Sequence, residues 1–150
     1  MNKESIGNIS PRSLFTLVWV AFEIMLNKTV NSLSIGFFEN FIKYKEICHF
    51  VSTRKGGVSN PPYDSLNLGF RVEDDPQKVL KNRETLATAL GIPLNHFTTA
   101  NQIHESNVAI ITEELRGRGG LDHKKAIHET DAMVTGIPEI CLMVLSADCV

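Results

Sequence analysis

Hydrophobic positions fall into short runs separated by turns marked with glycine and proline. The clearest periodic stretch is residues 76–90, where Val79, Leu86, Ala87 and Leu90 share one face of a helix. Asp75 stands at the N-cap, and Pro76 occupies the first turn, where its missing N–H costs nothing. Gly91 followed by Ile92-Pro93 ends the helix. Ile47-Cys48-His49-Phe50-Val51-Ser52-Thr53 is apolar and β-branched and predicts a strand, closed by the turn Arg54-Lys55-Gly56-Gly57. Further strands are expected at 96–101, 107–112, 132–135 and 140–147. Val58 to Gly69, with Pro61-Pro62, reads as an ordered loop. Glu113–Glu129 contains Arg116-Gly117-Arg118-Gly119-Gly120 and reads as a mobile loop, and no G-K-[ST] follows to make it a phosphate-binding P-loop. Many strands and one strong helix predict an α+β fold.

Residues 14–26, LFTLVWVAFEIML, form the most apolar stretch near the start. They are too few to span a bilayer, which takes about 20 residues, and Glu23 interrupts them. No small-residue cleavage site of a signal peptide follows. Phe15, Trp19, Phe22 and Leu26 have the spacing of one helix face, which favours an N-terminal extension covering the core. A signal-like segment, or a start properly placed at Met25, are the alternatives.

Composition excludes more than it selects. The chain has 150 residues, 43% hydrophobic, with 15 Lys+Arg against 17 Asp+Glu. That suits one folded domain and rules out collagen and wholesale disorder. A net charge of −2 gives no reason to expect nucleic acid or an acidic membrane as partner. Cys48, Cys141 and Cys149 are too few and too irregular for a disulfide framework, so a reducing cytoplasm fits best.

Chemistry concentrates at two places. Gln102-Ile103-His104 lies between two predicted strands, and Ser146-Ala147-Asp148-Cys149 ends the most apolar one. Brought together, His104 and Cys149 form either a nucleophile–base pair or two ligands of a metal such as zinc. Taken one at a time, each is better explained without chemistry, the histidine as structural or at the surface and the cysteine as inert packing. Arg54 beside Gly56-Gly57 reads either as an anion contact, since a guanidinium fork matches phosphate oxygens, or as an ordinary turn with an exposed arginine. Glu73-Asp74-Asp75 is placed for helix capping rather than for a cation. His49 sits on an apolar strand as a satisfied core histidine, His96 is expected in solvent, and His123 and His128 have poor spacing for shared ligation.

Several segments in order then carry a resemblance: Ser52-Thr53-Arg54-Lys55-Gly56-Gly57-Val58-Ser59, Pro62-Tyr63-Asp64-Ser65-Leu66-Asn67-Leu68-Gly69, Asp74-Asp75-Pro76, Asn82-Arg83, Gln102-Ile103-His104, Glu129-Thr130-Asp131-Ala132-Met133-Val134-Thr135 and Ala147-Asp148-Cys149-Val150. From about residue 37 onward the chain resembles the YfiH-type family, also called laccase-domain or polyphenol-oxidase-like proteins and purine nucleoside phosphorylases. The resemblance implies an α+β fold of mixed β-sheets with flanking helices. It implies zinc, with copper also reported, held by His104, Cys149 and a later histidine of an H-x-G-W-R-G motif that this sequence does not contain. Glu105 stands where the family commonly has glycine.

The implied activity is phosphorolysis of adenosine, inosine, guanosine and 5′-methylthioadenosine, with adenosine deamination as a second, hydrolytic reaction. Purine nucleosides and phosphate would be its partners, with Arg54 a candidate for phosphate and Asn67 for a polar substrate contact. Asp148 would orient a ligand or shuttle a proton. Phenol oxidation ranks low, because one thiolate site matches multicopper electron transfer poorly. Competing readings are a truncated, non-catalytic binding module and a Cys–His hydrolase using Cys149. The expected division is an extension over 1–36 and the N-terminal part of a YfiH-type domain over 37–150. Ile140–Val150, an apolar run with no turn after it, together with the missing third ligand, reads as a C-terminally incomplete domain.

Overall fold

The structure, a computed structural model, describes residues 25–146. Two compact units divide these residues at Thr29, Leu33 and Thr53.

The first unit is built on a three-stranded sheet of order β1 (Met25–Val30), β2 (Leu33–Phe38) and β3 (Val51–Ser52). β1 and β2 are joined by Asn31 and Ser32, whose φ values of 47° and 71° are those of a two-residue hairpin turn. β2 pairs antiparallel with β3, Ile35 opposite Ser52. A single helical turn, α1 (Glu39–Ile42), follows β2. The expected helix face through Phe15, Trp19 and Phe22 lies outside the described residues, and its last position, Leu26, belongs to β1 rather than to a helix. The strand expected over 47–53 is shorter than its apolar pattern: Val51–Ser52 pairs with β2, and the Thr53 amide donates to the Ser34 carbonyl at 3.2 Å just beyond it. His49 is half-buried and satisfied, as expected. Its Nε2 lies 2.9 Å from the amide nitrogen of Phe38 and 3.0 Å from the carbonyl, and its ring meets those of Phe37, Phe38 and Phe41.

The second unit packs around helix α2 (Pro76–Leu90), with the bounds the sequence predicts. The Asp75 carboxylate accepts from the Gln77 amide, and Gly91, at φ 67°, ends the helix by donating to the carbonyls of Ala87 and Thr88. Val79, Leu86 and Ala87 are buried, as are Leu66, Leu68, Phe97, Ile111, Ile127 and Met143. Two parallel pairs complete the unit. β4 (Phe97–Thr99) lies beside β7 (Cys141–Met143), with Phe97 opposite Cys141 and Thr99 opposite Met143. β5 (Val108–Ile110) lies beside β6 (Ala132–Val134), with Val108 opposite Ala132. All four coincide with expected strands, trimmed at their ends. His96, expected in solvent, is half-buried in the turn before β4.

Glu113–Glu129 is not the mobile loop that its composition suggests. It contains two 3-10 turns, and β-bridges tie Gly119 to Thr98 and Ile127 to Ala100. Arg116 pairs with Glu113 through two short bonds of 2.6 and 2.7 Å. The deciding partner lies far off in sequence: the Arg83 guanidinium donates to the carbonyls of Gly119 and Gly120 at 2.7 and 2.9 Å.

Candidate functional site

Because β4 and β7 run in parallel, the segments leaving their C-terminal ends emerge side by side, the place where open α/β sheets gather ligands. The segment after β4 leads to Gln102-Ile103-His104, and the one after β7 runs through Leu145 toward Asp148 and Cys149. Gln102 ties the two together. Its side-chain oxygen accepts from the Leu145 amide at 3.1 Å, and its side-chain nitrogen donates to the Leu145 carbonyl at 3.2 Å. A glutamine amide matches a backbone amide in this two-way fashion because it carries both a donor and an acceptor.

His104 lies two residues further on, within a loop from Asn101 to Asn107 that wraps around Asp131. The Asp131 carboxylate accepts from three successive amides, Ile103 at 2.9 Å, His104 at 2.8 Å and Glu105 at 3.0 Å. His104 itself has φ 62°, in the left-handed region. Burial alone would raise the Asp131 pKa, but the three amides and the nearby imidazole outweigh it and hold it below the usual aspartate value. The His104 ring is exposed and makes no hydrogen bond among the described residues. It is therefore available to an outside group. Arg71 adds a donor here, its Nη1 reaching the Gln102 carbonyl at 2.6 Å. Sequence reasoning missed Arg71, and it placed Asp131 within a motif without giving it a role.

The second predicted cluster lies on the loop between β3 and α2. Arg54 is exposed, and its guanidinium reaches over its own loop, to the Asp64 carbonyl at 2.7 Å and the Asp64 carboxylate at 3.2 Å. Its Nη1 takes no part in these bonds. Asn67 is half-buried, with its amide nitrogen on Asp74 at 2.8 Å and its oxygen accepting from Gly69 at 2.9 Å. Asp74 thus does more than stand near the helix cap. Burial would raise its pKa, but bonds from Ser59 and Asn67, the Asp75 amide and Lys78 bring it below the ordinary value.

Two residues that the sequence showed only inside a motif organise this loop from the helix. Asn82, fully buried, donates to Ser59, to the Ser65 carbonyl and to the Asn67 carbonyl, and accepts from the Val58 amide. Arg83, 2% exposed, donates to the Leu68 carbonyl as well as to Gly119 and Gly120, and its guanidinium lies 4.3 Å from the Phe70 ring centre. Burial without a carboxylate partner pulls its pKa down to about 10. Their signal was present: polar residues at 82 and 83 stand on the face between Val79 and Leu86.

Asp148 and Cys149 lie outside the described residues. His123 and His128 are exposed and apart in role, His123 beside the Phe70 ring and His128 beside Glu129. Among the described residues, no group of three or more His, Cys, Asp or Glu side chains is arranged to hold a metal ion. No helix among them is long and apolar enough to cross a membrane.

Comparison with known proteins identifies the architecture. The family model described as multi-copper polyphenol oxidoreductase laccase matches residues 48–150. The chain belongs to this family. Among curated relatives, a purine nucleoside phosphorylase of Mycobacterium tuberculosis is 41% identical over 100 residues, 67% of this chain and 37% of that protein. Purine nucleoside phosphorylase YlmD of Bacillus subtilis is 36% identical over 106 residues, 71% of this chain and 38% of that one. Among solved structures, the Bacillus licheniformis protein YfiH superposes with a TM-score of 0.60 at 31% identity, covering 75% of this chain and 37% of its own. YlmD from Geobacillus stearothermophilus gives 0.60 at 28%, covering 73% and 35%. The chain thus spans well under half the length of these laccase-family relatives. The α+β fold with mixed sheets is the fold it shares with YfiH.

Proposed function

We propose that the protein acts in the phosphorolysis of purine nucleosides, adenosine, inosine, guanosine and 5′-methylthioadenosine among them. His104, Cys149 and Asp148 are its catalytic contribution, and Arg54 and Asn67 its substrate contacts. The observation that carries the reading is the pairing of Gln102 with Leu145. It fixes a point four residues ahead of Cys149 against a point two residues ahead of His104. The relatives named purine nucleoside phosphorylase support the substrate class.

In phosphorolysis a phosphate oxygen bonds to the ribose C1′ while the C1′–N9 bond breaks, its electron pair going to the purine, which takes up a proton. The enzyme has to position the phosphate and stabilise the departing base. Arg54, whose Nη1 takes no part in its bonds to Asp64 and Pro62, is the phosphate contact, and Asp148 is the candidate to move a proton. An imidazole and a thiol, which binds metal as the thiolate, make a donor pair that suits zinc better than a hard cation. His104 and Cys149 would hold that zinc. When bound it supplies a Lewis acid, of use to the deamination of adenosine as a second reaction. Copper and phenol oxidation fit less well, since one thiolate site does not provide multicopper electron transfer.

The test is phosphate-dependent release of adenine from adenosine, together with zinc per chain, for the wild type and for His104→Ala. The expected result is loss of both signals in the variant. Turnover that survives His104→Ala would sink the reading, and turnover without metal that Cys149→Ser abolishes would favour the Cys–His hydrolase.

A further inference from the structure

We infer that Arg71 is an oxyanion-binding residue beside the Gln102–Glu105 turn, and that the anion it takes is inorganic phosphate. The choice of phosphate rests on the phosphorolysis reading above; the placement of the cation does not depend on it.

Three observations carry the inference. First, the guanidinium is held in place although Arg71 is exposed. Its Nη1 donates to the Gln102 carbonyl at 2.6 Å, and the Gln102 side chain is itself locked to Leu145 by bonds of 3.1 and 3.2 Å. The preceding residue is fixed as well, the Phe70 ring lying 4.3 Å from the buried Arg83 guanidinium and 5.9 Å, centre to centre, from the His123 ring. A long side chain already held in one geometry loses less freedom on taking a ligand than one that moves in solvent.

Second, the edge of the guanidinium that grips oxyanions is left open. Nε–H and one N–H of Nη2 lie side by side, and together they match two oxygens of a phosphate. In Arg71 neither makes a hydrogen bond among the described residues, because the one bond formed uses Nη1. Arg54 shows the opposite arrangement. Its Nε and Nη2 are engaged by Asp64 and Pro62, so that only Nη1 remains. Third, the charge of Arg71 is uncompensated. No carboxylate among the described residues lies within ion-pair distance of it. Asp131, the carboxylate of the adjoining loop, turns instead to the amides of Ile103, His104 and Glu105. The fork therefore stands open beside the segments that leave the C-terminal ends of parallel strands β4 and β7, where open sheets gather ligands.

The experiment is equilibrium dialysis of the full chain against radiolabelled inorganic phosphate at fixed ionic strength. Wild type is compared with Arg71→Gln, Arg71→Lys and Arg118→Gln. Loss of a bidentate charged pair should weaken phosphate about tenfold or more in Arg71→Gln. Arg71→Lys keeps the charge without the fork and should fall between. Arg118 is a second exposed arginine, with its Nε bonded to the Lys125 carbonyl at 3.0 Å. Arg118→Gln removes the same charge and should stay within about twofold of wild type. On the wild type, the Arg71 Nε–H resonance should shift and exchange more slowly with water as phosphate is added, which a merely structural role would not cause.

Affinity within about twofold of wild type in Arg71→Gln would overturn the inference and leave the phosphorolysis reading standing. An equal loss in Arg118→Gln would reduce the effect to general attraction and overturn it too, as would a wild type that binds no phosphate. Phosphate held through Arg71 without phosphate-dependent release of adenine would keep the site and overturn phosphorolysis. The Nε–H signal needs no variant to fold, and if it stays unmoved at saturating phosphate the contact is absent.

Discussion

Around Asp131 a carboxylate collects amide N–H groups, whereas around Asn82 and Arg83 a side-chain amide and a guanidinium collect mainly carbonyls. The first arrangement lies at the surface, on a loop between strands. The second is buried, on a helix, and reaches two loops distant in sequence. Both solve the problem of fixing irregular backbone whose polar groups have no sheet or helix partner. They differ in what a failure costs. Water can replace a donor or acceptor at the exposed turn, but it reaches the buried carbonyls poorly, and an unsatisfied buried group keeps its full desolvation penalty. The buried pair therefore holds up the fold, while the half-buried Asp131 carboxylate shapes a surface turn.

The contrast breaks most readily at Arg83. Arg83→Met keeps an apolar stem against Phe70 but strands the carbonyls of Leu68, Gly119 and Gly120, and should cost about 3–5 kcal/mol of stability in urea unfolding. A loss under about 1 kcal/mol would show that these carbonyls find other partners, and that Glu113–Glu129 does not depend on the helix. Asn82→Leu is next. It fills the space but leaves the Val58 amide and the carbonyls of Ser65 and Asn67 without that partner, and about 2–4 kcal/mol should go. The Arg54 loop should become protease-sensitive before the rest of the unit; simultaneous cleavage elsewhere would contradict a local role.

A smaller effect is expected of acid. Asp74 is held below the ordinary carboxylate pKa by Ser59, Asn67, the Asp75 amide and Lys78, against the opposing pull of burial. Its contribution is thus fully present above the unfolded value, near 3.8, and is lost as pH falls through the lower folded value. Unfolding midpoints measured downward from about pH 6 should fall less steeply in Asp74→Asn than in the wild type. Parallel curves would remove Asp74 from the network. Smallest of all is Lys81→Ala. The Lys81–Glu84 pair at 3.3 Å is exposed on helix α2, and its loss should shift stability by less than about 0.5 kcal/mol. A larger change would mean that the outer face of the helix contributes more than solvated pairs normally do.

Helix α2 was legible because all its signals are local: a capping aspartate, a proline in the first turn, an apolar face and a glycine at the end. The four strands of the parallel pairs were legible as apolar runs, but their partners were not, since parallel pairing joins segments far apart in sequence. The hairpin of β1 and β2 was missed. Its Asn31-Ser32 turn and the alternation of Leu33, Ile35 and Phe37 were there to be read, but the helical spacing of the apolar stretch before them dominated. The loop at Glu113–Glu129 was misjudged for a different reason. Its glycines and charges describe what it would do alone, and the guanidinium that orders it comes from residue 83.

The sequence by itself determined which residues can do chemistry. An imidazole, a thiol and a guanidinium carry their acid–base and donor properties wherever they lie, and the order of motifs around them was enough to indicate the family. Only the tertiary structure decided which of those groups the fold consumes and which it leaves available. Asn67 is drawn into bonds with Asp74 and Gly69, Arg54 is partly spent on Asp64, and His104 is held out on a turn by a carboxylate 27 residues away. Local propensity cannot encode such assignments, because a hydrogen bond depends on where two chain segments meet, and here that is set by the packing of strands and helix within the second unit.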